Sequence, residues 1–280
     1  MPRRIAVLQH EHDGFEPSEY MLRDIASVWR EQGIVVELIR GCPAHVEPER
    51  FDAAVMHVDV TRVPERYLAF ARRFGRVLNL STGDISKRAI SEHIVRRGDG
   101  YDGPVIVKTD RNCGGLREAE LARLGGVSRW IRAAHRRLHW TLRAELAGKD
   151  YRIYARVRDV PWPVWHNPWL VVERFLPEYH DGRYWLRTWI FLGKAEVLAL
   201  RSASGPVIVA GNISSKAFIT PDVPDSLRAR REQLGFDFGK FDYGMVNGAA
   251  VLYDANRTPT HRTITDDDRR WQAALLASGI

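Results

Sequence analysis

The feature that most constrains this chain is the alternation of short apolar strands with amphipathic helices over its first 80 residues. Residues 4–9 (RIAVLQ) read as a buried strand, 10–17 as the polar loop after it, and 18–32 as a helix with one apolar stripe. Strand signals recur at 34–39, 51–58 and 76–80, with a helix predicted over 64–74. Strands joined through helices return in the same direction, so the pattern implies a parallel sheet with helices on its faces. The loop after the first strand lacks the glycine-rich fingerprint that sets a pyrophosphate on a helix N-terminus, and nothing there supports nicotinamide binding.

After residue 80 the pattern changes. A helix is predicted over 84–95, a turn over 97–104, a strand over 104–108 and a polar glycine loop over 109–115. Residues 116–146, rich in Arg, Ala and Leu, read as helix broken around Gly125 and Gly126; 151–157 read as a strand and 161–169 (PWPVWHNPW) as an aromatic connector. Strands then dominate, at 170–175, 184–192 and 194–201, with a helix over 226–234. The expected class is α/β and α+β, divided at 1–80, 81–168 and 169–280.

The last strong signal is a hairpin in KFDYGMVNGAAVLYDANRTPT, residues 240–260, centred on Asn247 and Gly248. Its register decides its chemistry. A three-residue loop puts the even-numbered Lys240, Asp242, Asp254 and Asn256 on one face. A two-residue turn splits Asp242 from Asp254 unless a bulge restores them. Together, two carboxylates and an amide oxygen suit a hard cation such as Mg2+ on a polyphosphate. Apart, they are ordinary turn residues.

Composition excludes several classes. No run approaches the ~18 apolar residues of a membrane span, and the apolar run at the start is too short for a signal peptide, so a cytoplasmic protein is expected. Cys42 and Cys113 stand far apart, which argues against a disulfide framework or a zinc knuckle. The formal net charge is +7, but only six of the 42 basic residues are lysines and the arginines are interspersed with acids. That skew reads as coding bias and not as a nucleic-acid surface. Against it, each lysine stands out as a position that wants a compact ammonium.

Lys108 ends the apolar run Val105-Ile106-Val107 and precedes Gly114 and Gly115, an arrangement that can hold phosphate although no P-loop pattern is present. Leu170 to Leu176 (LVVERFL) is an apolar strand with one acid and an apolar exit. Lysine strand, glycine loop, VVERFL hinge and the closing hairpin, in this order, resemble the ATP-grasp superfamily over residues 80–260. The likeness is sharpest at 186–217, which resembles the ribosomal-protein glutamate ligase branch: Arg187 opens a strand, Gly193 turns it, Arg201 ends the next, and Asn212 follows.

The resemblance implies a small parallel α/β domain followed by two α+β grasp subdomains. By the same resemblance Lys87 and Lys108 contact ATP phosphates, helped by Gly114 and Gly115. Glu173 and the backbone of Arg174, Phe175 and Leu176 meet adenine, Asp181 or Glu178 the ribose, and Arg187 and Asn212 complete the nucleotide site. Asp242, Asp254 and Asn256 hold Mg2+, or Mn2+ in its place, while Arg201 and Lys240 face the transferred phosphate. The implied activity is carboxylate-amine (or thiol) ligation through an acyl phosphate, on a small-molecule or peptide substrate, in a monomer or a homo-oligomer. A kinase-like phosphotransferase and a nucleotide-binding partner protein are the alternatives. Thr258-Pro259-Thr260 departs from the family's Pro-Gly, and the closing helix is expected to be short or absent.

Overall fold

The computed structural model describes residues 3–15, 19–124, 137–147, 150–261 and 265–280. Its N-terminal part is a four-stranded parallel sheet of β1 (Arg4–Gln9), β2 (Val35–Arg40), β3 (Ala53–His57) and β4 (Val77–Leu78), in the order β2-β1-β3-β4. One face packs on α1 (Met21–Glu31) through Ile5, Val7, Val55, Leu22, Ile25 and Trp29. The other packs on α2 (Glu65–Ala71) through Ala6, Leu8, Met56, Tyr67 and Phe70. Both faces are covered, which is why these strands read as nearly continuous apolar runs.

The middle of the chain carries α3 (Lys87–Ile90), β5 (Val105–Thr109), a 3-10 turn at Asn112–Gly115, α4 (Leu116–Leu124), β6 (Arg152–Tyr154), α5 (Trp162–His166) and β7 (Leu170–Arg174). β6, β5 and β7 form a three-stranded antiparallel sheet in that order. A boundary at residue 168 therefore cuts this sheet, because β7 belongs with β5. Helix α3 is much shorter than the expected 84–95. The reason is tertiary: His93 O accepts from Arg174 N at 2.9 Å and Val95 N donates to Val172 O at 2.8 Å, so the chain lies along β7 instead of coiling. The expected break at Gly125 and Gly126 lies outside the described residues.

A six-stranded antiparallel sheet follows, made of β8 (Glu178–His180), β9 (Arg183–Leu192), β10 (Ala195–Ala203), β11 (Ile213–Ile219), β12 (Phe238–Val246) and β13 (Ala249–Asn256), with α6 (Asp225–Gln233) before β12. Five strands run β11-β10-β9-β12-β13, and β8 pairs with the first residues of β9. The edge strand β11 gives no sequence signal, since its half-solvated residues ISSKAFI lack both an apolar run and a clean alternation.

Side chains alternate across this sheet. Ile190, Leu192, Val197 and Phe238 join the core of the N-terminal sheet, whereas Trp189, Phe191, Leu198, Phe241 and Tyr243 pack under α6. The expectation of a short or absent closing helix is corrected by α7 (Asp266–Ala277), twelve residues long. Thr265 caps it by accepting from Asp268 N, three aspartates complement its first-turn dipole, and Trp29 Nε1 donates to Ala277 O at 3.0 Å.

Candidate functional site

The hairpin turn has two residues, Asn247 and Gly248, at φ 52° and 80°. Positive φ at both is the type I′ geometry, whose twist suits adjoining strands. Such a turn alone would put Asp242 and Asp254 on opposite faces. A bulge corrects the parity: Tyr243 pairs with Leu252, but Asp242 pairs with Asp254 and Lys240 with Asn256, leaving Tyr253 as the extra residue. The Tyr253 hydroxyl donates to Leu176 O at 2.7 Å and accepts from Glu178 N at 3.1 Å, tying the bulge to the chain between β7 and β8.

Two carboxylates directly opposite each other on neighbouring strands repel, and each here has a cation. Lys240 Nζ lies 2.7 Å from Asp242, which also accepts from Thr188 Oγ1 at 2.6 Å. Lys87 Nζ, almost wholly buried, pairs with Asp254. Burial pushes the Asp242 carboxyl up, but Lys240 and Arg201 overcome it and hold the group below the usual carboxylate range. Burial likewise opposes the charge of Lys87, and the neighbouring Asp254 reverses this and raises its pKa. Asn256 is buried, and its Oδ1 accepts from Thr258 N at 2.9 Å and Thr258 Oγ1 at 3.1 Å.

Lys108 on β5 meets Glu173 on β7 at 2.6 Å, and its Nζ also lies 3.4 Å from the carbonyl of the bulged Tyr253. The second Glu173 oxygen is buried without a partner. Arg174 N and Phe175 N are committed to His93 O and Pro104 O, at 2.9 and 2.8 Å, and the Arg174 guanidinium stacks on Tyr101. In the glycine loop Cys113, Gly114 and Gly115 all have positive φ, at 47°, 69° and 76°. A Cβ on Gly114 would come within 2.0 Å of Leu146 O, so close packing on residues 144–147 requires glycine there. Cys113 itself is exposed in this loop.

The remaining expected residues separate. Arg201, on β10, shares the face of Lys240 and Asp242, and its Nε is buried without a partner. Arg187 precedes Thr188 on β9 and so points to the opposite face, where it makes a two-pronged pair with Glu178 at 2.8 and 3.0 Å. Glu178, 2% exposed at its side chain, also accepts from Met245 N at 2.8 Å. Asp181 is exposed at the β8–β9 turn beside Gly182, with His180 as its partner. Asn212 bonds its own loop, to Val207 O and from Val209 N, both at 2.8 Å.

Sequence reasoning missed Thr188 and Tyr253, which acquire their roles only through cross-strand register. It missed Asp110, whose carbonyl accepts from Lys87 N at 2.9 Å and whose carboxylate accepts from Arg88 N at 3.0 Å, fixing the start of α3. Asp110 lies two residues after Lys108, a proximity that could have pointed to it. Among the described residues no three His, Cys, Asp or Glu side chains cluster as a metal site complete in itself. The donors nevertheless fit a hard cation that takes its other ligands from phosphate and water: Asp242 and Asp254 face each other, and the lysines now balance their charge.

A scan of the sequence against protein-family models and a search of curated proteins gave no match. Solved structures do match along nearly the whole chain. A RimK domain ATP-grasp protein from Sphaerobacter thermophilus is 15% identical, with 99% of this chain and 98% of that one covered at a TM-score of 0.51. The chain has the ATP-grasp fold. The ATP-grasp ligase PsnB, solved with a minimal precursor, is 9% identical over 98% of this chain and 99% of its own, at a TM-score of 0.50. Within this fold Lys87, Lys108, Glu173, Arg201, Lys240, Asp242 and Asp254 line the region where the three- and six-stranded sheets meet. No helix among the described residues is long and apolar enough to cross a membrane.

Proposed function

We propose that this protein is an ATP- and Mg2+-dependent ligase that joins a carboxylate to an amine through an acyl phosphate. One observation carries the reading: three of the six lysines, Lys87, Lys108 and Lys240, converge on carboxylates at the junction of the two antiparallel sheets of an ATP-grasp fold. A nucleotide's phosphates can take over those ammonium groups while the released carboxylates hold the metal.

In this mechanism Lys87 and Lys108 hold the ATP phosphates, and the backbone of Gly114 and Gly115 contributes N–H groups to them. Glu173 and the hinge of Arg174, Phe175 and Leu176 border the base. Asp242 and Asp254, with Asn256 after release from Thr258, hold Mg2+ or Mn2+. When bound, the ion neutralises phosphate charge and aligns the transferred group. Arg201 and Lys240 stabilise the negative charge that spreads over that group as the substrate carboxylate attacks it. The amine then attacks the activated carbonyl, the C–N bond forms and phosphate leaves.

The test has two stages. Mg-ATP at ~100 times its Kd should stabilise the protein by about 2.7 kcal/mol, read as a rise in melting temperature; no rise with any nucleotide overturns the reading. Phosphate release in the presence of candidate carboxylates should then require an amine. A stable phosphorylated product would instead establish the phosphotransferase.

A further inference from the structure

The aromatic connector PWPVWHNPW takes no part in the chemistry proposed above. Within it α5 brings Val164, Trp165 and His166 to one wall of a cavity of about 770 Å3, a volume in the range of small-molecule sites. The other wall is the segment 91–99, which lies along the outer edge of β7 through the bonds of His93 and Val95. Leu170, Val172 and Val95 form the floor and belong to the apolar core under α5. On β7 Leu170 and Val172 alternate with Glu173, so the floor faces away from Lys108 and Glu173. None of the residues placed at the nucleotide junction lines this cavity.

The charged lining is cationic. Three guanidinium groups, those of Arg88, Arg96 and Arg97, stand against one carboxylate, Asp99. Arg88 is partly committed: it donates to Pro168 O at 3.1 Å and Leu170 O at 2.9 Å and lies 3.2 Å from Asp110, which Arg62 shares at 2.9 Å. Arg62 also reaches Asp84 at 3.0 Å. Counted out to these neighbours, the region holds four cations against three carboxylates. Glu92 and Glu173, the next acids along the chain, have Arg230 and Lys108 as partners. The Asp99 carboxylate accepts from Arg96 N at 2.7 Å, and Asp99 N donates to Arg96 O at 3.2 Å, closing the turn that carries the two exposed arginines. Among the described residues neither the Arg96 nor the Arg97 guanidinium has a hydrogen bond or an ion pair.

We propose that this cavity is a second ligand site, for an organic anion that carries a carboxylate or phosphate on a flat aromatic body. Guanidinium groups take such an anion by paired, charge-assisted hydrogen bonds. Ile94 and Trp165, both half-buried, border the same cavity and offer the aromatic body an apolar contact. His166, whose ring lies against Trp162 with centroids 3.8 Å apart, adds a ring nitrogen to the lining. Coding bias accounts for the frequency of arginine in the chain; it does not account for a cavity where acids fail to match it. The site is independent of the ligase reading.

The test is calorimetric titration of the protein, with and without excess Mg-ADP, using naphthoate and naphthyl phosphate as anions and naphthylmethanol as the uncharged body. At least one anion should bind, one molecule per chain, and the alcohol should bind about tenfold more weakly, the worth of one charge-assisted hydrogen bond. The tighter anion tells carboxylate from phosphate. The double variant Arg96→Gln/Arg97→Gln should weaken that anion about tenfold, with the melting temperature unchanged because both side chains are exposed. A control, Arg40→Gln/Arg50→Gln, removes the same charge from exposed positions of the N-terminal part and should bind as the wild type does. Failure of both anions to bind overturns the inference, as does equal binding of the alcohol or an affinity that the Arg96/Arg97 variant leaves unmoved. Equal weakening by the control, or displacement of the anion by Mg-ADP, overturns it as well.

Discussion

Arg187 and Arg201 stand fourteen positions apart on neighbouring strands, and the two faces of one sheet give them opposite circumstances. Arg187 is matched on its own face by both oxygens of Glu178, one of which also accepts from Met245 N–H. Arg201 lies on the face of Lys240, Asp242 and Asp254, and its buried Nε has no partner. A saturated guanidinium stabilises the fold, whereas an unsaturated one is ready to stabilise charge that arrives later. The motif likeness treats the two alike; the pleat separates them.

The strongest test of the contrast is on the reactive face. Asp254→Asn should lower ATP turnover about a thousandfold, since a metal clamp is worth several kcal/mol of barrier. Near-wild-type turnover would remove the hairpin from the chemistry. Arg201→Met should lower kcat about a hundredfold, the usual loss for one preorganised donor, with no drop in melting temperature. Marked destabilisation instead would make Arg201 a structural residue like its neighbour.

On the other face Arg187→Met should cost about 3 kcal/mol of stability, because it strands a buried carboxylate. Chemical denaturation measures this. A loss of turnover as large as that of Arg201→Met, at a temperature where the variant is folded, would break the comparison. The pH dependence sharpens it. Burial raises the Glu178 carboxyl, but Arg187 more than reverses this and holds it below its ordinary value of 4.5. The pair's contribution is therefore complete above that value and is lost as pH falls through the depressed folded pKa. The Arg187→Met variant should lack this acid limb, giving a shallower loss of stability below about pH 5. The smallest effect belongs to Tyr253→Phe, which removes the bond to Leu176 and costs about 1 kcal/mol, with turnover falling only if the bulge slips.

Much of the fold was legible because local patterns agree with the tertiary result. The central parallel strands β1 and β3 are buried on both faces and read as apolar runs, and Asn247-Gly248 adopts its turn through positive φ. The short α3 and the edge strand β11 were not legible. Residues 93–95 give up helix to pair with β7, and β11 has no buried stripe. In the site, Lys108 with Glu173 and Lys240 with Asp242 were foreseen as separate residues of one region. Their pairing to each other was not, nor was the commitment of Glu178 to Arg187.

By itself, then, the sequence determined the set of residues near the hairpin and centred its turn on Asn247 and Gly248, with the turn's length left open. It did not determine on which face those residues fall. A side-chain period of two makes every assignment depend on a single inserted residue, and the turn taken alone would have parted Asp242 from Asp254. The bulge at Tyr253 reunites them. It is held by Leu176 O and Glu178 N, groups 77 and 75 positions away along the chain. Hydrogen bonds of that separation exist only once the strands have packed, so tertiary structure decided whether two aspartates became one site.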